Sequence, residues 1–451
     1  MLCCAVLSLS VLHSGAQSAN PGFSPAMPDD SLLSSLYNQY HQHFKEESEH
    51  LPLQYKKDYE ECYRERWKNI EGKFDKKEIY TAADAQAYLD RLVARIVSSN
   101  PFPGGRPFRC YFSRSYIPNA SYIGEGIILF NMGLFYRLSN ESEVAFVLCH
   151  EIAHCYLQHP EKGIAKYVAA VNSEAVQAQL RRIKGSEYRK HEQLQSLVKG
   201  LTFDSRRHSR DHEAEADSMA IVLMRSSSFD ASGALTTLAL LNEIDRNSFD
   251  TESELLKTFD SKDYPFRKKW IAREEGLLGG HVRMSEDREV ADSLKTHPDC
   301  PKRILLLKPM IGEGGGRRFV VDSAVFFRLQ DRFRYEAIEY AFASDGYTES
   351  LFLALQLLKT RERDAYLVSQ VGKILNGLYA ACKGHVLSKV TDRPSPDYPE
   401  NYNVLLQWVQ NLYPEDIAAV NYYFLKKYQS EMEAYPAFKQ SYNESEKLFQ
   451  Q

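Results

Sequence analysis

His150-Glu151-Ile152-Ala153-His154 is the stretch on which the reading of this chain turns. Four residues along an α-helix return to the same face, so both imidazoles can reach a single ion. Zinc suits such donors, at one ion per chain. Glu151 projects about 100° around the helix from His150, beside the ion's open position, where it can take a proton from water as general base. Asn140 is placed to cap this helix with Glu143 three residues on, and Val144, Val147, Leu148 and Cys155 continue it. In so apolar a segment an ionic triplet without a partner would be costly, and surface histidines on a polar helix fit poorly.

Two histidines leave a catalytic site one protein donor short. Leu157 and Pro160 stand where a metzincin would carry a glycine and a histidine. His159 lies five residues past His154, off the ligand face, and reads as a helix-end or surface residue. Some sixty residues later comes Ser209-Arg210-Asp211-His212-Glu213-Ala214-Glu215-Ala216-Asp217, leading into the apolar 219–224. Glu213 and Asp217 share a helical face. A ligating carboxylate one turn before an aspartate is what a glutamate-type zinc site requires, because the aspartate can hydrogen-bond a ligating imidazole. His212 and Glu215 point elsewhere and take no role in this reading.

Around this centre the pattern predicts an α+β, mostly helical protein: a zincin-like domain with a small β-sheet, then an all-α region. Phe108, Cys110 and Phe112 alternate with polar neighbours as in a half-buried strand, and 126–131 reads as another. An edge of that sheet would receive an extended peptide by backbone pairing. Thr81 with Asp84 predicts a capped helix start before Ala85, Tyr88, Leu89, Leu92, Val93 and Ile96. Expected divisions are a signal-like segment at 1–16, a helical arm at 17–76 with solvated histidines, the metal domain at 77–311, a flexible Gly-rich linker at 312–316, and helical hairpins, loosely of tetratricopeptide type, at 317–451. The charged helical stretch 161–199 is a candidate lid.

Composition excludes several classes. Of 451 residues, 43% are hydrophobic, and 56 Lys and Arg against 60 Asp and Glu give a net charge of -4. With no dense basic stripe, nucleic acid is not expected as a partner. No window approaches the roughly 18 to 20 apolar residues of a membrane-spanning helix. The first sixteen residues have a short apolar core ending in small residues, so export, periplasmic or secreted, is expected, with cleavage after Ala16, although no Lys or Arg precedes the core. Cys62, Cys110, Cys149, Cys155, Cys300 and Cys382 form no disulfide framework, and Cys149 and Cys155 would lie about 9 Å apart along one helix.

HEIAH, then SRDHEAEAD, then Thr296-His297-Pro298 with Arg303 following, together resemble the zinc metallopeptidases that include the CAAX prenyl proteases, HtpX and the periplasmic protease BepA. The resemblance takes in Asn119-Ala120 and Asn131-Met132-Gly133-Leu134 and covers roughly 79–304. It implies His150, His154 and Glu213 as zinc ligands and Asp217 as their support. It implies that His297 lies near the open metal position, as oxyanion stabiliser or inhibitory latch, and that Arg303 faces the reacting carbonyl. Arg210 would be structural. The absence of spanning helices favours the exported, BepA-like branch. The expected function is endoproteolysis of envelope or secreted proteins, misfolded or unassembled, with the C-terminal helices recruiting protein partners. The alternatives are a zinc-containing chaperone or scaffold with a latent site, and a structural metal site closed by His297.

Overall fold

The computed structural model describes residues 23–100, 107–185, 210–243, 249–272, 299–312, 315–395 and 398–451. The signal-like segment, His297, the linker residues Glu313 and Gly314, and the part of the 161–199 stretch beyond 185 lie outside the described residues.

Three short strands, β1 (Arg109–Ser113), β2 (Ala120–Gly124) and β3 (Ile127–Asn131), form a sheet in the order β1-β3-β2. The central β3 runs parallel to β1 and antiparallel to β2. Its run Ile127-Ile128-Leu129-Phe130 is apolar without alternation because both faces of the sheet are covered. Cys110, Phe112, Ile128 and Phe130 face the main core with α3 (Ala83–Ser99) and α5 (Glu141–Tyr156). Tyr111, Ile127 and Leu129 face Leu33, Leu36, Tyr40, Trp67, Ile70 and Phe74.

Those last six side chains belong to α1 (Asp30–Glu49) and α2 (Lys56–Asp75). The expected arm is thus a helical hairpin forming the sheet's outer layer, tied in by the Tyr40 and Tyr111 hydroxyls at 2.9 Å. Its histidines are not simply solvated: the His41 ring stacks on Trp67, and His43 Nδ1 lies 2.7 Å from the buried Glu125. Arg66 of α2 joins Glu125 at 2.5 Å, Glu47 at 3.3 Å and Glu161 at 3.4 Å. The hairpin is therefore bonded both to the β2–β3 turn and to α6 (His159–Val171), the helix after HEIAH. The start of α3 departs from expectation: Ala82 takes the cap position with no side-chain bond, Thr81 accepts from Asp29 N instead, and Asp84 pairs with Arg332.

Helix α4 (Met132–Phe135) and α7 (Glu174–Gly185) complete the first half; α8 spans 210–226, α9 (Gly233–Glu243) and α11 (Cys300–Ile311) follow it against the core, and α10 (Thr251–Phe259) lies between those two in the chain. Around the expected linker the chain is held. Arg317 bridges to Phe229, a Cβ on Gly316 would meet Phe229 O at 2.4 Å, and Ser142 N donates to Arg318 O at 3.0 Å. The long α12 (Ser323–Ala343) then spans two cores, with Phe326, Leu329 and Phe333 in the first and Tyr335 and Ile338 in the second. The second core is all-helical, from α13 (Tyr347–Leu358), α14 (Ala365–Lys383), α15 (Glu400–Asn411), α16 (Pro414–Lys426) and a last helix, Pro436–Phe449. Phe249, Leu255, Phe259 and Trp270, from the expected metal domain, pack in this second core.

Candidate metal centre

Helix α5 is buried on every side from Glu141 to Ala153. A helix this apolar forms because tertiary packing surrounds it, and its start is secured locally. Asn140 accepts from Ser142 N at 3.0 Å and Glu143 N at 3.2 Å, while Glu143 reaches back to Ser139 N at 2.6 Å. The packing holds His150 and His154 in place one turn apart.

Helix α8 brings the missing carboxylate. The Nε2 atoms of His150 and His154 lie 3.0 Å apart, with Glu213 Oε2 3.4 Å from the first and Oε1 3.3 Å from the second. Ligand atoms sharing one zinc at ordinary bond lengths in a tetrahedron stand about 3.3 Å apart, so this donor set fits the ion. Asp217 Oδ1, one turn further along α8, sits 2.9 Å from His150 Nδ1 in a bent contact.

Burial disfavours charge here, and the partners outweigh it. Asp217 and Glu213 push His150 up to about 10 despite its burial. Burial works against ionised Glu213 too, yet His150, His154 and Arg303 hold its carboxyl well below the usual range. Asp217 is likewise lowered, by Arg303 and His150 against its burial. Glu151 goes the other way: burial raises it, with the two histidines opposing. Its Oε2 accepts from Tyr122 N of the edge strand β2 at 2.6 Å. A narrow cleft lined by Ala120, Phe146, His150, Glu151 and Arg303 opens beside it.

Arg303 is among the residues lining this cleft. Only 5% exposed, it lies beneath the carboxylates, with Nε and Nη2 each 2.7 Å from an oxygen of Asp217 and Nη1 3.0 Å from Glu213 Oε2. Arg210 pairs with Asp299 at 2.8 Å.

Sequence reasoning missed His159. It is buried, its Nδ1 is 2.9 Å from His154 Nδ1 and its Nε2 3.2 Å from Glu215 Oε2, and His212 stacks on its ring at 4.2 Å. The available signal was the pairing of His159 with Pro160, since proline in a first turn marks a new helix rather than a continued one.

A second group, His43, Glu47 and Glu125, also lies within mutual reach, but Arg66 already pairs with both carboxylates. Among the described residues no helix is long and apolar enough to cross a membrane.

Residues 83–311, from the first residue of α3 to the last of α11, match the model described as Peptidase family M48, and no curated protein matches the chain. The matched span exceeds half of the 451 residues and holds both HEIAH and the carboxylates that meet it, so the chain belongs to Peptidase family M48, a family of metal-dependent peptidases.

Proposed function

We propose that the chain is a zinc-dependent endopeptidase of the soluble, exported, BepA-like branch, acting on unfolded or unassembled envelope or secreted proteins. One observation supports it above the rest: two imidazole Nε2 atoms and a carboxylate converge within 3.0 to 3.4 Å. Both Nδ1 atoms face partners of their own, which leaves both Nε2 atoms and the Glu213 carboxylate directed at one point. A cation bound there would displace the proton that His150 otherwise holds among these groups.

His150, His154 and Glu213 would hold the ion, which when bound supplies Lewis acidity to a carbonyl and acidifies water. Glu151 takes the proton and passes it to the leaving amine. Its raised pKa suits this, and the Tyr122 N–H anchors one carboxylate oxygen while leaving the other available. The peptide would lie extended along β2, whose outer edge pairs with no other strand among the described residues. Asp217 orients His150, and Arg303 holds Asp217 and Glu213. His297 keeps the role implied by the resemblance, near the open metal position, and the C-terminal helices recruit partners.

The test pairs metal analysis with cleavage of an unfolded protein such as casein, for the purified chain and Glu151→Gln. Both proteins should carry one zinc, and the variant should lose hydrolysis by about 10²- to 10⁴-fold. Equal cleavage by the variant would overturn the mechanism, and zinc binding without hydrolysis by either protein would favour a scaffold.

A further inference from the structure

We propose that His159, held by Glu215 and stacked on His212, is a positioning residue that fixes the tautomer and orientation of His154. The inference rests on the metal-holding role given above to His150, His154 and Glu213.

On a continued helix a residue five positions past His154 would stand about 140° away from it. The chain does not continue. Helix α5 ends at Tyr156, Gln158 takes the left-handed conformation (φ 55°, ψ 41°), and α6 starts at His159 with Pro160 in its first turn. This turn brings the His159 ring against His154, with centroids 4.8 Å apart.

The hydrogen bonds then dictate where each proton sits. His154 Nε2 faces His150 and Glu213, so its proton belongs on Nδ1. There it is donated to His159 Nδ1 at 2.9 Å, which forces the His159 proton onto Nε2, facing Glu215 Oε2 at 3.2 Å. Each member has one direction open to it. His212 lies parallel to His159, with 5° between the planes, and stops the ring from tipping.

Helix α8 thus serves both metal histidines. Glu213 and Asp217 meet the HEIAH helix, whereas His212 and Glu215 meet the start of α6. His150 rests on a carboxylate and His154 on a neutral imidazole, so removing His159 would free the His154 ring to rotate and to take the wrong tautomer. Partners of this kind commonly account for 10- to 100-fold in metal affinity.

The test compares wild type, His159→Ala and His159→Gln by zinc competition against a chelator, by the visible spectrum of the cobalt-substituted protein, and by melting of the metal-free forms. Expected are zinc binding about 10- to 100-fold weaker and an altered cobalt band for His159→Ala. Metal-free melting should be close to wild type. His159→Gln, whose amide can accept from His154 and donate to Glu215, should recover most of the affinity. Unchanged affinity and cobalt band in His159→Ala would overturn the proposal. So would equal losses in both variants accompanied by a lower metal-free melting temperature, the mark of a merely structural residue. A wild-type chain that binds no zinc would instead sink the metal reading itself, and this inference with it.

Discussion

Arg303 grips Asp217 through two parallel hydrogen bonds of 2.7 Å, in a site where both side chains are almost fully buried. Asp217 in turn faces His150, so the guanidinium is linked to the metal ligands through one carboxylate. Removing one partner of a buried pair leaves an uncompensated charge and costs about 3 to 5 kcal/mol. Arg303→Met should therefore lower stability to urea by about that amount and reduce bound zinc. Retention of both wild-type stability and zinc would show that the pair carries no such role.

Glu141, buried at the first turn of α5, accepts from Val320 N, Val321 N and Asp322 N at 2.6 to 2.7 Å and from Tyr88 OH at 3.0 Å. It fastens the chain leading into α12 onto the helix that carries HEIAH. Glu141→Ala strands three amide donors, at about 1 to 3 kcal/mol each where they stay dry. The expected outcome is a loss of at least about 3 kcal/mol in urea unfolding, with faster amide exchange at 320–322. Exchange there as slow as in wild type would contradict it.

Gly133 tolerates no side chain. A Cβ there would meet Tyr116 O at 1.9 Å and Ile117 O at 2.8 Å, both backbone atoms that no rotamer change relieves. Gly133→Ala should destabilise by about 3 kcal/mol through overpacking, read as a lower melting temperature or as loss of soluble expression.

Partial burial, with Asp392 nearby, pushes Glu349 in the first turn of α13 up to about 7. A carboxyl raised on folding adds stability below its unfolded value of about 4.3, where both states hold the proton. That stability is lost as pH rises through about 7, because the unfolded chain ionises first. Glu349→Gln should match wild type near pH 4 and be more stable at pH 8 by roughly 1 to 2 kcal/mol, allowing for the water that still reaches the group. Parallel stability curves for the two proteins between those pH values would refute this.

Much of the local structure was legible from residue order. The Asn140 cap, the single helix carrying HEIAH, strands near 108–113 and 126–131, and the shared face of Glu213 and Asp217 all follow from relations between residues a few positions apart. Within one helix each residue advances about 100°, so spacing translates directly into direction. The β2 strand was less visible because Ala120-Ser121-Tyr122-Ile123-Gly124 is short and ends at a glycine with φ 99°.

What only the tertiary structure decided depends on where helices stop and which surfaces meet. A single left-handed residue, Gln158, turns His159 from an outward position to a partner of His154. Arg303 acquires its partners from α8, 86 residues away from Asp217, and no local periodicity encodes such a pairing. The same holds for the N-terminal hairpin, whose apolar stripe could have packed anywhere until the outer face of the sheet offered Tyr111, Ile127 and Leu129. Side-chain direction along a helix is set by covalent geometry. The choice of neighbour is made by burial of apolar surface over the whole chain, to which every segment contributes at once.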